Sequence, residues 1–276
     1  MRTPIGIASP LLPGTPARVS GGPALIAVAH GSRDPRSAAT MSAVVAEVAA
    51  ARPDLDVRLA FLDLSAPSVE QVVDAVAAQG HTHAVVAPLL LGSAFHARVD
   101  LPGLLEAARA RHPHLHLTQA DVLGPDARLI SALRDRVREA CTALDPHSGA
   151  PNTLWSRGND RLGIAVAAVG SSNAAANART AGVARQLAAI TGWHTEICFA
   201  TTEPTVTEAI SRLRARGADR ILIAPWFLAP GLLTDRLVTA TPNSVHTGVI
   251  GSHPALTEII WDRYDAALAD ALALTA

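Results

Sequence analysis

From Ala24 onward, short continuous apolar runs alternate with segments whose apolar residues recur at helical spacing. Ala24–Ala29 (ALIAVA) is short and uninterrupted, the pattern of a strand buried on both faces. The polar turn His30-Gly31-Ser32-Arg33-Asp34-Pro35 follows it. Met41, Val44, Val45 and Val48 then mark one face of a helix. Val57–Leu62 reads as a second strand. Val69, Val72, Val73 and Val76 mark the next helix, which Gly80 ends. Ala84–Leu91 is a third strand, Leu101–Arg111 a helix, Leu115–Thr118 a short strand, and Pro125–Cys141 a closing helix. Strands without an apolar–polar alternation, each followed by a helix, predict an α/β fold: a parallel sheet covered by helices on both faces.

Asp145–Arg161 breaks the rhythm with Pro, Gly, Ser and Asn and reads as a linker. The same order then restarts. Ile164–Val169, His194–Phe199 and Ile221–Phe227 read as strands, with a last short one at Val249–Ile250. Helices are expected up to about Ile190, from Pro204, and from Pro254. Gly31-Ser32 matches Gly170-Ser171, Pro67-Ser68-Val69 matches Pro204-Thr205-Val206, Gly80 matches Gly217, and Ala87-Pro88 matches Ala224-Pro225. A period above ~100 residues means duplication of a whole domain and not a solenoid. The expected organisation is a disordered tail over 1–20, a first lobe over 21–144, a linker over 145–161 and a degenerate second lobe over 162–276.

Length and charge refine this picture. The 276 residues suit one large domain or two small ones, and a net charge of −1 argues against a general nucleic-acid binder. The 23 basic residues are all Arg, whose planar fork suits carboxylates. Cys141 and Cys198 form no C-x-x-C pair. With the absence of a signal-peptide pattern, that fits a reducing cytoplasm. No run of ~18 apolar residues predicts a membrane span.

The chemistry is expected where open parallel sheets bind ligands, beyond the carboxyl ends of the strands. His30 follows the first strand, Asp63 ends the second and His96 follows the third, at even steps of 33 residues. Two imidazoles and a carboxylate suit a divalent first-row metal, and imidazole also suits proton removal near neutral pH. A single histidine in such a turn is more often a polar cap or a solvated loop residue. The second copy shifts the balance: aligned through the neighbouring matches, His30 faces Val169, Asp63 faces Ala200 and His96 faces Leu233. Retaining the fold therefore does not require the three polar residues. His81, His83, His114 and His116 fall at the opposite rim and read as structural or solvated. His253 stays as an outside candidate, and Trp193, Trp226 and Trp261 read as core or lobe-contact residues. No P-loop is possible without Lys, and no G-x-G-x-x-G follows either first strand.

Val28-Ala29-His30-Gly31-Ser32-Arg33-Asp34-Pro35 resembles the opening motif of the class II chelatases, the sirohydrochlorin chelatase family. Phe61-Leu62-Asp63-Leu64-Ser65-Ala66-Pro67-Ser68 is similar to that family's second motif. Pro88 through His96, with Asp100-Leu101-Pro102, resembles the third. The three come in order and cover about Pro23 to Cys141, and the second half more weakly through the repeat. The resemblance implies two tandem Rossmann-like, chelatase-like lobes and insertion of a divalent metal, Fe²⁺ or Co²⁺, into sirohydrochlorin without a further cofactor. The product would belong to siroheme or cobalamin synthesis.

The family's motif histidines carry over onto His30 and His96, and its acidic residue onto Asp63, where many members have Glu. Asp is shorter by one methylene, so direct or water-mediated metal contact stays open. His30 and His96 would bind the metal or take the pyrrole protons, with Asp63 orienting or completing the set. Arg33, Arg98 and Arg36 flank the histidines and are candidates for the substrate's carboxylates, with the N–H groups of Gly31 and Ser32 as further anion donors. A monomer is expected, since duplication supplies both walls of a cleft. The rivals are a metal or tetrapyrrole carrier and a degenerate paralogue acting on an altered tetrapyrrole.

Overall fold

The computed structural model describes residues 22–92, 99–144 and 161–275. The expected tail, the expected linker except its last residue Arg161, His96 and Arg98 lie outside the described residues. The first lobe contains β1 (Ala24–Ala29), α1 (Pro35–Ala51), β2 (Val57–Phe61), α2 (Val69–Ala78), β3 (His83–Pro88), α3 (Leu101–Arg111), β4 (His116–Gln119) and α4 (Ala127–Leu144). The second contains β5 (Leu162–Ala168), α5 (Ala174–Thr191), β6 (His194–Phe199), α6 (Val206–Ala215), β7 (Arg220–Pro225), α7 (Leu232–Ala240), β8 (Val245–His246) and α8 (Pro254–Thr275).

Each lobe holds a four-stranded parallel sheet, ordered β2-β1-β3-β4 and β6-β5-β7-β8. The expected last strand at Val249–Ile250 is corrected. The pairing segment is Val245–His246, opposite Leu222 and Ile223, while Ile250 only donates its N–H to the Phe227 carbonyl at 2.9 Å. The two-residue strand is flanked by polar Ser244 and Thr247, so no apolar run advertises it.

The period of two sorts the β1 side chains. Leu25, Ala27 and Ala29 face a core shared by the lobes, while Ala24, Ile26 and Val28 face α2 and α3. Cys198, Ile223, Val206 and Leu213 form the matching outer core of the second lobe. Helix starts follow their sequence signals. Asp34 caps α1 ahead of Pro35, and Ser68 with Gln71 and Thr205 with Glu208 form capping boxes on α2 and α6.

The sequence units are not the packing units. Helix α4, which ends the first repeat, lies against β7 and α5 of the second. Helix α8, which ends the second repeat, lies against β3, β4 and α1 of the first. The exchange is anchored by polar contacts, two of them from buried rings. The Tyr264 hydroxyl donates to the Pro23 carbonyl at 2.6 Å, and Trp261 Nε1–H donates to the Val48 carbonyl at 3.2 Å. The Arg52 guanidinium lies 4.3 Å from the Trp261 ring centre and pairs with Asp265 at 2.5 Å. Burial pushes the Tyr264 hydroxyl up to about 12, so it remains a donor at any physiological pH. Trp193, Trp226 and Trp261 are all core residues, as expected.

Candidate functional site

In the order β2-β1-β3-β4, the chain leaves β1 towards one edge of the sheet and β3 towards the other. The crevice between the loops after β1 and β3 is therefore a topological switch point. His30 stands on its β1 side. Asp63 lies on the adjacent loop after β2, and its N–H donates to the His30 carbonyl at 3.0 Å.

Two turns are stitched together there. Ser32 N–H donates to Ser65 Oγ at 3.1 Å, and Ser65 Oγ donates to the Ser32 carbonyl at 2.9 Å. The Ser32 amide assigned to an anion from sequence is thus already engaged. Gly31 adopts φ +92°, and a β-carbon on it would sit 1.7 Å from the Asp63 carbonyl oxygen. Only glycine allows this backbone approach.

Asp63 is exposed, and its Oδ1 accepts the N–H of Leu64 at 2.7 Å. Ser65 N–H donates back to the Asp63 carbonyl at 2.7 Å, closing a three-residue turn over Leu64. Leu64 has φ +60°, and among the described residues it is the one non-glycine with positive φ. That conformation costs a branched L-residue about 1–2 kcal/mol. A three-residue turn of this hand is the rare, strained kind.

The chain leaving β3 is held at its root as well. Leu123 N–H donates to the Leu90 carbonyl at 3.0 Å, and a β-carbon on Gly124 would sit 2.4 Å from the Leu91 carbonyl oxygen. Arg33 is exposed and makes no hydrogen bond or ion pair among the described residues, so its fork is available to an anionic ligand. Arg36 is committed instead. Its Nη2 lies 2.5 Å from both Asp34 of the first lobe and Asp235 of α7 in the second, and the Arg36 contact holds the Asp34 carboxyl below its usual range. Gly231, just before α7, also comes close to Ser32 Oγ and Asp34. The carboxyl-end loops of the two sheets therefore meet beside the turn that carries His30.

The second lobe is a control within the molecule. Val169 occupies the His30 position, and Gly170 repeats the Gly31 conformation at φ +91°. The offset of Asp63 to Ala200 is corrected by the hydrogen bonds. Phe61 and Phe199 take the carbonyls of Pro67 and Pro204, and Asp63 and Thr201 take those of His30 and Val169. Asp63 therefore corresponds to Thr201, whose hydroxyl turns back onto the Val169 carbonyl at 2.8 Å. The turn between Phe199 and Pro204 is one residue shorter than that between Phe61 and Pro67. Pairing His96 with Leu233 fails for a similar reason: α3 begins at Leu101 and α7 at Leu232, so the loop before α7 is shorter and Leu233 is already helical.

Among the described residues, no three His, Cys, Asp or Glu gather as a metal group, and His30 and Asp63 are the described members of the expected set. His83 and His116 open β3 and β4 at the opposite rim, with ring centres 5.0 Å apart, and His81 Nε2 lies 3.1 Å from Asp56. His253 is a helix cap: its Nδ1 accepts the Ala255 N–H at 3.2 Å, and its Nε2 lies 3.7 Å from Asp135. Burial pushes the Cys141 and Cys198 thiols up to about 11 and about 12, so neither offers a thiolate.

No described helix is long and apolar enough to cross a membrane. The CbiX family model matches residues 24–140 and 163–267, one segment in each lobe. The chain is 27% identical over 256 residues to a sirohydrochlorin cobaltochelatase of Priestia megaterium, covering 87% of this chain and 78% of that protein. It is likewise 27% identical over 250 residues to a sirohydrochlorin ferrochelatase of Bacillus subtilis, covering 87% and 90%. The structure of SirB from Bacillus subtilis with Fe³⁺ superposes with a TM-score of 0.73 at 25% identity, over 91% of this chain and 97% of that one.

Proposed function

The chain belongs to the CbiX family, and from that premise we propose that it is a sirohydrochlorin ferrochelatase, inserting Fe²⁺ into sirohydrochlorin to give siroheme. The observation that supports this most directly is the asymmetry of the two lobes. Both keep the sheet, the backbone hydrogen bond between the turns after their first two strands and the positive-φ glycine, yet only the first has His30 and Asp63 at its switch point, against Val169 and Thr201 in the second. One active centre, in the first lobe, follows.

Metallation removes two pyrrole N–H protons and exchanges metal-bound water for ring nitrogens. A neutral imidazole can hold the incoming ion or accept a proton near pH 7. His30 and His96 take these roles, and Asp63 completes or orients the ligand set. A set of two or three protein ligands leaves coordination positions open, which delivery of a metal substrate requires. Arg33 and Arg98 receive the substrate's carboxylates as bidentate partners, with the Gly31 amide beside them.

Cobalt is the second reading of the metal. The ferrochelatase and the cobaltochelatase relatives stand at equal identity, and a His/His/carboxylate set does not separate the two ions strongly. An anaerobic absorbance time course with excess sirohydrochlorin and either ion tests both points. Many turnovers, faster with Fe²⁺, support the ferrochelatase. Faster turnover with Co²⁺ moves the reading to cobalamin synthesis. Saturation at one equivalent makes the protein a carrier. The core shared between the lobes supports a monomer, and a tight dimer by solution mass measurement would contradict it.

A further inference from the structure

We propose that Leu64 is a specificity-determining contact, an apolar side chain held in a strained turn so that it meets the flat face of the tetrapyrrole beside Asp63. The inference rests on the chelatase reading and names a contact within that site.

Leu64 is disfavoured twice by the fold alone. It takes φ +60°, where glycine or asparagine is the ordinary choice, and its side chain is 48% exposed. The fold gains neither a relaxed backbone nor a fully buried leucine. Nor does the turn itself demand the conformation. The second lobe joins β6 to α6 through the same hydrogen bonds, Phe199 to Pro204 and Thr201 to Val169, with one residue fewer and no non-glycine at positive φ. The longer, strained version occurs in the lobe that has Asp63. Strain that the scaffold does not need, placed one residue from a reactive carboxylate, points to a ligand.

The chemistry of the surroundings selects the occupant. Among the described residues, eight large hydrophobic side chains are exposed, and four of them lie at the carboxyl-end rims. They are Leu64 after β2, Val99 before α3, Val169 after β5 and Leu232 at the start of α7. The two rims meet at Gly231 and Ser32 and through Arg36 and Asp235. Exposed apolar groups on rims that meet one another are the kind of surface that binds a ligand. With the exposed Arg33 nearby, the surface suits a ligand that is flat and apolar across its faces and anionic at its edges. A polycarboxylated macrocycle has that form.

The test pairs stability with kinetics in Leu64→Gly, Leu64→Asn and Leu64→Met. Gly and Asn relieve the backbone and remove the apolar contact, while Met keeps the contact. The expected result for Gly and Asn is a melting temperature equal to or above wild type. Their KM for sirohydrochlorin should rise about tenfold, the order expected for returning part of a leucine side chain to water. The KM for the metal should not move, and Met should stay within about threefold of wild type throughout. Unchanged KM for sirohydrochlorin in Gly and Asn, in a wild type that turns over, overturns the contact alone. A melting temperature that falls in both Gly and Asn makes Leu64 a structural residue and also overturns it. A wild type that neither binds nor metallates sirohydrochlorin overturns the chelatase reading, and the contact with it.

Discussion

The backbones of Gly31 and Asp63 touch so closely that a β-carbon on residue 31 would sit 1.7 Å from the Asp63 carbonyl oxygen. This contact fixes the distance between the turn that carries His30 and the turn that carries Asp63. Gly31→Ala must open it, and must also hold an L-residue at φ +92°. The expected cost exceeds about 1 kcal/mol, the usual range when alanine enters a positive-φ site, and activity should fall further than stability does. Denaturant melts beside initial rates check this. A variant with wild-type rates would show that the two turns need no fixed separation.

The exchange of α4 and α8 makes the lobes interdependent. Trp261→Ala removes a ring that packs on the first lobe and loses its hydrogen bond to the Val48 carbonyl. A loss of about 3–5 kcal/mol is expected. Calorimetry should show one transition that shifts as a whole. Two separable transitions, with only the second lobe destabilised, would contradict the shared core.

Acid should weaken the protein through His83. Burial, and then the neighbouring His116, lower its proton affinity in the folded state. The unfolded chain therefore binds the proton more tightly. The stability it supports is complete above about pH 6.5, the ordinary histidine value, and is lost as pH falls from there through the folded value. His83→Gln keeps a polar partner for Thr118, 2.9 Å from Nε2 in the wild type, and should flatten part of the acid-side slope. His246, also lowered by burial, accounts for a remainder. Urea melts at stepped pH read the slope, and an identical slope in the variant would remove His83 from this role.

The strands of both sheets were legible because each is apolar and continuous, as Ala24–Ala29 and Leu162–Ala168 show. Val245–His246 was not, because two residues carry no period. The rim was legible too, since the positions of His30 and Asp63 after their strands follow from the alternation of elements, while the strand order that makes it a switch point came only with the structure. The helix exchange was hidden. The apolar stripe of α4, from Leu129 to Cys141, says that one face is buried but not against which sheet. The Asp63 correspondence was misplaced because a constant offset passes over the missing residue before Pro204. The conformation of Leu64 was invisible, since nothing in a leucine codon position announces positive φ.

The central claim is that a single centre in the first lobe performs the chemistry, and the initial rate of anaerobic sirohydrochlorin metallation by His30→Ala tests it most directly. The account predicts a fall of about 10²–10⁴-fold, the range for loss of a positioned proton acceptor, with the melting temperature near wild type because His30 is only half-buried at the rim. A His30→Ala protein that metallates sirohydrochlorin at the wild-type rate would contradict it, and would move the centre away from the β1 switch point.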